Sequence, residues 1–379
     1  MKVLYIIHAT IMGGATISFK GMVDGVIKRG VTPIIVYPRW QNNKLIEEFE
    51  KHGVKCIPSF ICISALENRK TYINILSLGK LLLLKLLSFI NLLIIVNKTK
   101  PDIVHTNTGV VHEGFRVARI FKIPHVWHIR EYQTLDFNLK IFPCFGCFLK
   151  KLSKSYPIFI THELKKYFKQ YDDNSTVIYN PIYDIGEVQH KTTEKQKYFI
   201  VANRIAKEKG VHDIINGYAH YAKRNGNYSL KIAGFGDDTY ISNLKTLCKR
   251  LNVEKRVEFL GYISDMRNLI QEAEVLLVGS YFEGFGRMTA EANLLGTYVI
   301  GRNTAGTKEV IELTHGGSLF NNIKDIPKLL YNYTSKQSDE KITILSNAQK
   351  IALEYFTKQK HCDELIDLYN RIVSNDKVS

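Results

Sequence analysis

The chain has 379 residues, long enough for two hydrophobic cores, since a single core rarely grows past about 250–300 residues. With 45 % hydrophobic and 23 % charged residues, its composition excludes a disordered chain. The net charge of +16 is uneven: residues 1–182 hold 25 Lys and Arg against 12 Asp and Glu (+13), and the rest holds 27 against 24 (+3). A basic first half fits contact with phospholipid, lipid diphosphate or nucleic acid, and equally fits scattered solvated lysines.

Residues 1–8 read as a first β-strand, with an apolar run too short for a secretion signal. The strand ends at Ile11-Met12-Gly13-Gly14, and residues 18–29 have helical spacing through Phe19, Met22, Val23, Val26 and Ile27. A glycine pair between strand and helix is a candidate phosphate loop, because bare amides at a helix start approach an anion closely. Strands at 31–37 and 54–58 flank a helix at 45–52, the alternation of a doubly wound parallel sheet. The apolar run 75–96 is interrupted by Lys80, Lys85 and Asn91, which favours a core or membrane-surface helix over a transmembrane span.

Strands follow at 102–107 and 124–131. His125 reads as a core histidine, whereas His128 stands where the strand gives out, beside Arg130 and Glu131, at the edge where a ligand belongs. Residues 138–154 mix Phe142, Phe145, Phe148 and Leu149 with Lys140, Lys150, Lys151 and Lys154, as in a packed helix or a segment lying on an anionic membrane. Cys144 and Cys147 lack the further ligands of a zinc site and read as reduced core cysteines of a cytosolic protein. A strand at 158–161 and a helix at 163–168 precede a charged linker at 187–197.

A strand at 198–204 restarts the pattern. Arg204 and Lys209, five apart between this strand and a helix beginning near Val211, can converge on a diphosphate. Strands at 230–236 and 257–262 precede one at 274–280. It runs into Glu283-Gly284-Phe285-Gly286-Arg287 and on into a helix carrying Glu291. The two carboxylates are too far apart to share a proton but can grip two ends of one polar ligand, and Gly284 and Gly286 let the backbone approach it. The last long helix, 347–373, is broken near Phe356-Thr357.

The run from Tyr281 to Gly286, with Glu291-Ala292, residues 296–301 and Gly306-Thr307-Lys308-Glu309, resembles the C-terminal signature of family-four glycosyltransferases. These are retaining, nucleotide-sugar-dependent enzymes of GT-B fold. Pro101-Asp102-Ile103-Val104-His105, the hinge-like Tyr179-Asn180-Pro181 and Ala233-Gly234-Phe235-Gly236 resemble the same family. The resemblance covers most of the chain, most strongly 198–311. It implies two Rossmann-like domains, 1–182 for the acceptor, with a tail helix 357–379 packed back on it, and 183–356 for the donor.

It further implies that Arg204 and Lys209 bind the donor diphosphate, His128 and Glu283 the sugar and Glu291 the ribose. Tyr262 then lies near the base, with Gly13, Gly14, Gly234, Gly284, Phe285, Gly286 and Arg287 among the donor contacts. No Asp-x-Asp pair appears, so no metal and no cofactor is expected beyond the nucleotide diphosphate-sugar itself. Gly279, Tyr298, Ala305 and Asn203 depart from the family pattern.

The expected activity is sugar transfer to a glycan or lipid-linked glycan of a bacterial capsule, exopolysaccharide or lipopolysaccharide, at the inner face of the cell membrane. Its rivals are an epimerase of the same fold and a basic nucleic-acid or membrane-binding module. No nucleic-acid recognition motif is present, so no nucleic-acid partner is expected. The oligomeric state is left open.

Overall fold

The computed structural model describes residues 1–11, 13–41, 44–67, 75–170, 174–188, 194–224 and 226–376. Part of the expected linker, 189–193, and Met12 of the first glycine loop lie outside them. The chain divides into two units, Met1–Pro181 with Lys358–Ser379, and Ile182–Thr357.

In the first unit the strands are β1 (Lys2–Ile6), β2 (Thr32–Pro38), β3 (Lys55–Ser59), β4 (Ala65–Glu67), β5 (Ile103–Thr106), β6 (His125–Ile129), β7 (Leu139–Ile141), β8 (Tyr156–Phe159) and β9 (Thr176–Val177). Seven form a parallel sheet in the order β3-β2-β1-β5-β6-β8-β9, and β4 pairs antiparallel with β7. Both faces of a parallel sheet are covered, which is why its strands read as apolar runs without alternation. One face is filled by Phe19, Met22, Val23 and Val26 of helix Gly14–Ile27 and by Leu365, Leu368, Tyr369 and Ile372 of helix Lys358–Asp376. The other is filled by Leu92, Ile95 and Val96 of helix Ile75–Thr99 and Val117 and Ala118 of helix Glu113–Ile120.

Helix Ile75–Thr99 starts well before its apolar core at 87–96, and its Leu78–Thr99 portion is long and apolar enough to cross a membrane by length and composition. Its inner face nevertheless completes the core. Lys85, one of the interruptions of the apolar run, is buried, with Nζ 2.7 Å from Glu113 Oε1 and a hydrogen bond to Ser64 Oγ. A buried charge requires such a partner, so Lys85 is a structural ion pair. The outer face leaves Leu82, Leu83, Leu86, Ile90 and Ile94 exposed.

The segment 138–154 also differs from a membrane-lying stretch. Phe148 is fully buried, stacked on His112 at 5.1 Å and set edge-on to Trp127 at 4.9 Å, and Phe145 packs on Tyr167 and Phe168. Lys151 is half-buried against His112 Nδ1 at 3.2 Å, so only Lys150 and Lys154 of this helix end face solvent. Cys144 is exposed and Cys147 half-exposed, not core residues. Their helix, Phe145–Leu152, buries Phe148 and Leu152 and turns its first turn outward.

The second unit holds β10 (Gln196–Ala202), β11 (Ser229–Ala233), β12 (Val257–Gly261), β13 (Ala273–Val278), β14 (Tyr298–Arg302) and β15 (Gly317–Phe320). They form one parallel sheet in the order β12-β11-β10-β13-β14-β15. Chain order therefore reverses between β10 and β13. Tyr298 points into the core, stacked on Tyr333 at 3.8 Å with its hydroxyl 2.7 Å from Ser318 Oγ. The final helical stretch breaks at Phe356-Thr357 into Ser338–Tyr355 and Lys358–Asp376.

Candidate functional site

In an open α/β sheet the crevice outside the strands' carboxyl ends, at the point where strand order reverses, is the place for a ligand. Here that point lies between β10 and β13, whose following loops carry Arg204 and Lys209 on one side and Glu283 on the other. The loops touch through glycine. A Cβ on Gly210, at φ 61°, would stand 2.1 Å from Gly279 O, and one on Gly279 would stand 2.6 Å from Gly210 O. This close approach accounts for Gly279, where the resembled family has proline.

The charges meet in the same place. Lys209 Nζ lies 2.7 Å from Glu283 Oε1, which also accepts from Ser280 Oγ at 2.7 Å. Arg204 pairs with Glu208 and is half-exposed. The turn that holds Glu283 is fastened from α-helix Ala305–Thr314: Gly306 N–H donates to Glu283 O at 2.9 Å, and a Cβ on Gly306 would meet Phe285 C at 2.4 Å. Gly286, at φ 79°, then starts helix Arg287–Leu294 with no side chain capping it. An uncapped helix start carries partial positive charge, the electrostatic feature that suits a phosphate or hydroxyl.

Glu291 faces a different group. Its Oε1 accepts from the Tyr183 hydroxyl, and its Oε2 lies 3.9 Å from Arg287 Nε. Burial, then the neighbouring Glu291 carboxylate, pushes the Tyr183 phenol far up, so it stays a donor. The two glutamates thus have separate environments, one against an ammonium and the other against a phenol. Phe285, counted among the donor contacts, is buried edge-on to Phe356 at 5.5 Å, so its ring belongs to the packing that holds the turn.

At the ends of β11 and β12, Tyr262 is exposed, and Phe235 lies edge-on to it at 6.0 Å. Gly234, at φ 149°, has Asn203 O 1.8 Å from where a Cβ would be, so the β10 and β11 loops also meet through glycine. Phe235 was not singled out from the sequence, although its place between Gly234 and Gly236 was the available signal. Also missed was the support beneath the loop: Asp213 takes a 2.5 Å ion pair from Arg302 and a 2.8 Å hydrogen bond from the Tyr281 hydroxyl, with Arg302 over the Tyr281 ring at 4.5 Å.

The remaining candidates belong to the first unit. Gly13, extended and with open space around its Cβ direction, precedes helix Gly14–Ile27, which no side chain caps. His128 is fully buried, its ring 5.4 Å from that of His105 and 6.1 Å from that of His361, and its Nδ1 3.4 Å from Arg130 Nη2. Burial, then the Arg130 guanidinium, holds it well below the usual histidine range, as a neutral ring. Within β6 its Nε2 is buried and takes no hydrogen-bond partner among the described residues. Arg130 is buried too, held by Asn107 Oδ1 at 2.9 Å and Asn180 Oδ1 at 2.5 Å.

Residues 185–342 match the family model of glycosyl transferases group 1. An uncharacterised glycosyltransferase of Methanocaldococcus jannaschii is 22 % identical, covering 95 % of this chain and 94 % of that protein. An O-antigen biosynthesis glycosyltransferase of Escherichia coli is 25 % identical over 52 % of this chain and 55 % of its own. Among solved structures, Anabaena HepE in complex with UDP superposes with a TM-score of 0.78 at 19 % identity, over 98 % of this chain and all of the other. The fold is GT-B, with two parallel-sheet α/β domains.

Proposed function

We propose that this chain, a GT-B protein whose second unit matches the group 1 glycosyl transferases, moves a sugar with retention from a nucleotide diphosphate-sugar to a glycan or lipid-linked glycan. The observation that carries the reading is the grouping of Lys209, Glu283 and Ser280 at the β10/β13 reversal, with Arg204 on the same loop after β10. Sugar transfer is limited by departure of an anionic diphosphate from an anomeric carbon gaining oxocarbenium character. Preorganised cations lower that barrier, by about 3–4 kcal/mol per donor in comparable sites. Lys209, steadied by Glu283, and Arg204 supply the charge; Glu283 orders sugar hydroxyls; Glu291 takes the ribose; Phe235 and Tyr262 offer faces for a base.

The bacterial surface-polysaccharide setting rests on the relatives, of which the Escherichia coli protein is an O-antigen enzyme. Attachment to the inner membrane face is proposed through the exposed apolar side of helix Ile75–Thr99, with Lys150 and Lys154 as flanking cations. The test is a panel of nucleotide diphosphate-sugars with a lipid-linked acceptor, with and without EDTA. Chelator-resistant release of nucleoside diphosphate, joined to an acceptor product of unchanged anomeric configuration, is the expected result. An inverted product or an epimerised donor overturns the reading.

A further inference from the structure

Cys144 and Cys147 form a thiol pair that sugar transfer leaves unused. Their Sγ atoms are 2.8 Å apart, in hydrogen-bond contact, and the Cys147 backbone N–H donates to Cys144 Sγ at 3.2 Å. Position is the cause: Cys144 caps helix Phe145–Leu152 and Cys147 follows three residues later, so both thiols stand on one face of the first turn. Of the other four cysteines, Cys62, Cys248 and Cys362 are buried and Cys56 is half-buried. We propose that Cys144 and Cys147 are a reversible redox site that exchanges with low-molecular-weight disulfides, with Cys144 as the attacking thiol.

Cys144 is the exposed member and the one whose sulfur takes a backbone N–H at a helix start, which favours its thiolate. The neighbouring Cys147 thiol, then the backbone N–H, draws Cys144 below the ordinary thiol range, while Cys147 is raised by the same contact. In the first step the Cys144 thiolate attacks one sulfur of the external disulfide, forming a mixed disulfide and expelling one thiolate. Cys147 then loses its proton and attacks Cys144 Sγ, expelling the second thiolate. Two protein thiols thereby give up two electrons and two protons, and the external disulfide becomes two thiols.

Two other roles fit less well. A crosslink across so short a ring removes little freedom from the unfolded chain, so the pair contributes little as a structural disulfide. A structural zinc site takes about four ligands, and the described residues hold no cluster of three or more His, Cys, Asp or Glu placed for a metal. Oxidation also has a local effect, because a disulfide sulfur is a poorer acceptor than a thiolate and the helix loses its cap.

The experiment equilibrates the full chain in a series of reduced and oxidised glutathione, quenches with acid, alkylates and reads the peptide masses. A Cys144–Cys147 disulfide that appears as the oxidised fraction rises, and is lost when reduced glutathione is restored, is the expected result. Cys147→Ser should accumulate glutathione on Cys144, at least about 10-fold more than Cys144→Ser accumulates on Cys147. Both variants keep the buried face of the helix, and unchanged circular dichroism checks their fold. No disulfide in fully oxidised glutathione, a disulfide that resists excess reduced glutathione, or equal adducts in the two variants overturns the proposal.

Discussion

Lys209 carries three N–H donors, and Glu283 takes one of them at 2.7 Å, which fixes the ammonium without exhausting it. Lys209→Ala is therefore expected to lower kcat/KM by about 10²–10³-fold, the effect of losing one preorganised donor, at a stability cost of no more than about 1 kcal/mol. Steady-state kinetics paired with urea unfolding checks both parts, and near wild-type turnover would remove Lys209 from the chemistry. Ala305 makes a different point. It stands at φ 46°, where the resembled family has glycine, and a left-handed residue with a Cβ is strained by about 1–2 kcal/mol. After allowing for glycine's greater unfolded freedom, Ala305→Gly should stabilise the second unit by about 0.5–1 kcal/mol in urea; a loss of stability would mean that the turn does not bear that strain.

The turn at Gly284 and Gly286 and the cations after β10 were legible because they are local: glycine, charge and strand end lie within a few residues of one another. The burial of His128 was not, because one of the rings beside it, His361, comes from the far end of the chain. The packing of Phe285 was hidden for a related reason, since the residue that takes its ring, Phe356, lies outside the motif.

Helix Ile75–Thr99 shows the same limit at the scale of an element. Both its faces are apolar, so periodicity could not say that Leu92, Ile95 and Val96 go inward while Leu82, Leu83, Leu86, Ile90 and Ile94 stay out. The ion pair of Lys85 was not legible either, because its partner Glu113 sits on another helix. Burying each of the five half-exposed side chains in lipid contributes about 1 kcal/mol, enough in sum for reversible attachment. Leu83→Glu with Leu86→Glu should therefore abolish co-sedimentation with anionic vesicles and leave the fold unchanged, because neither side chain enters the core. Lys150→Glu with Lys154→Glu should only make binding to anionic vesicles weaker and less salt-sensitive. Retention of the leucine variant on vesicles would move the attachment surface elsewhere.

Across the whole molecule the acid-sensitive groups are unevenly shared. The first unit buries His105, His112, His125, His128 and His361, whereas in the second His220 and His315 are exposed and His212 is partly so. Burial drives His125 and His361 down to about 3 and holds the other three well below their ordinary value. A histidine depressed on folding is neutral in both states above about pH 6.5. Below that the unfolded chain takes up the proton first, so stability is lost as pH falls toward the folded value, by up to about 1.4 kcal/mol per pH unit for each ring. Calorimetry at pH 7 and pH 5 should show the first unit's transition moving down well ahead of the second's; equal shifts would contradict this distribution.

The first unit is also written in two pieces, and that sets an order of events during synthesis. Leu365, Leu368, Tyr369 and Ile372 complete its core, yet they leave the ribosome only after every residue of the second unit. The sheet of the first unit must wait with an apolar slot open while the second, continuous in sequence, can already close. A chain stopped at Thr357 should consequently emerge insoluble or chaperone-bound, and a separately supplied peptide of residues 358–376 should rescue part of it into the soluble fraction.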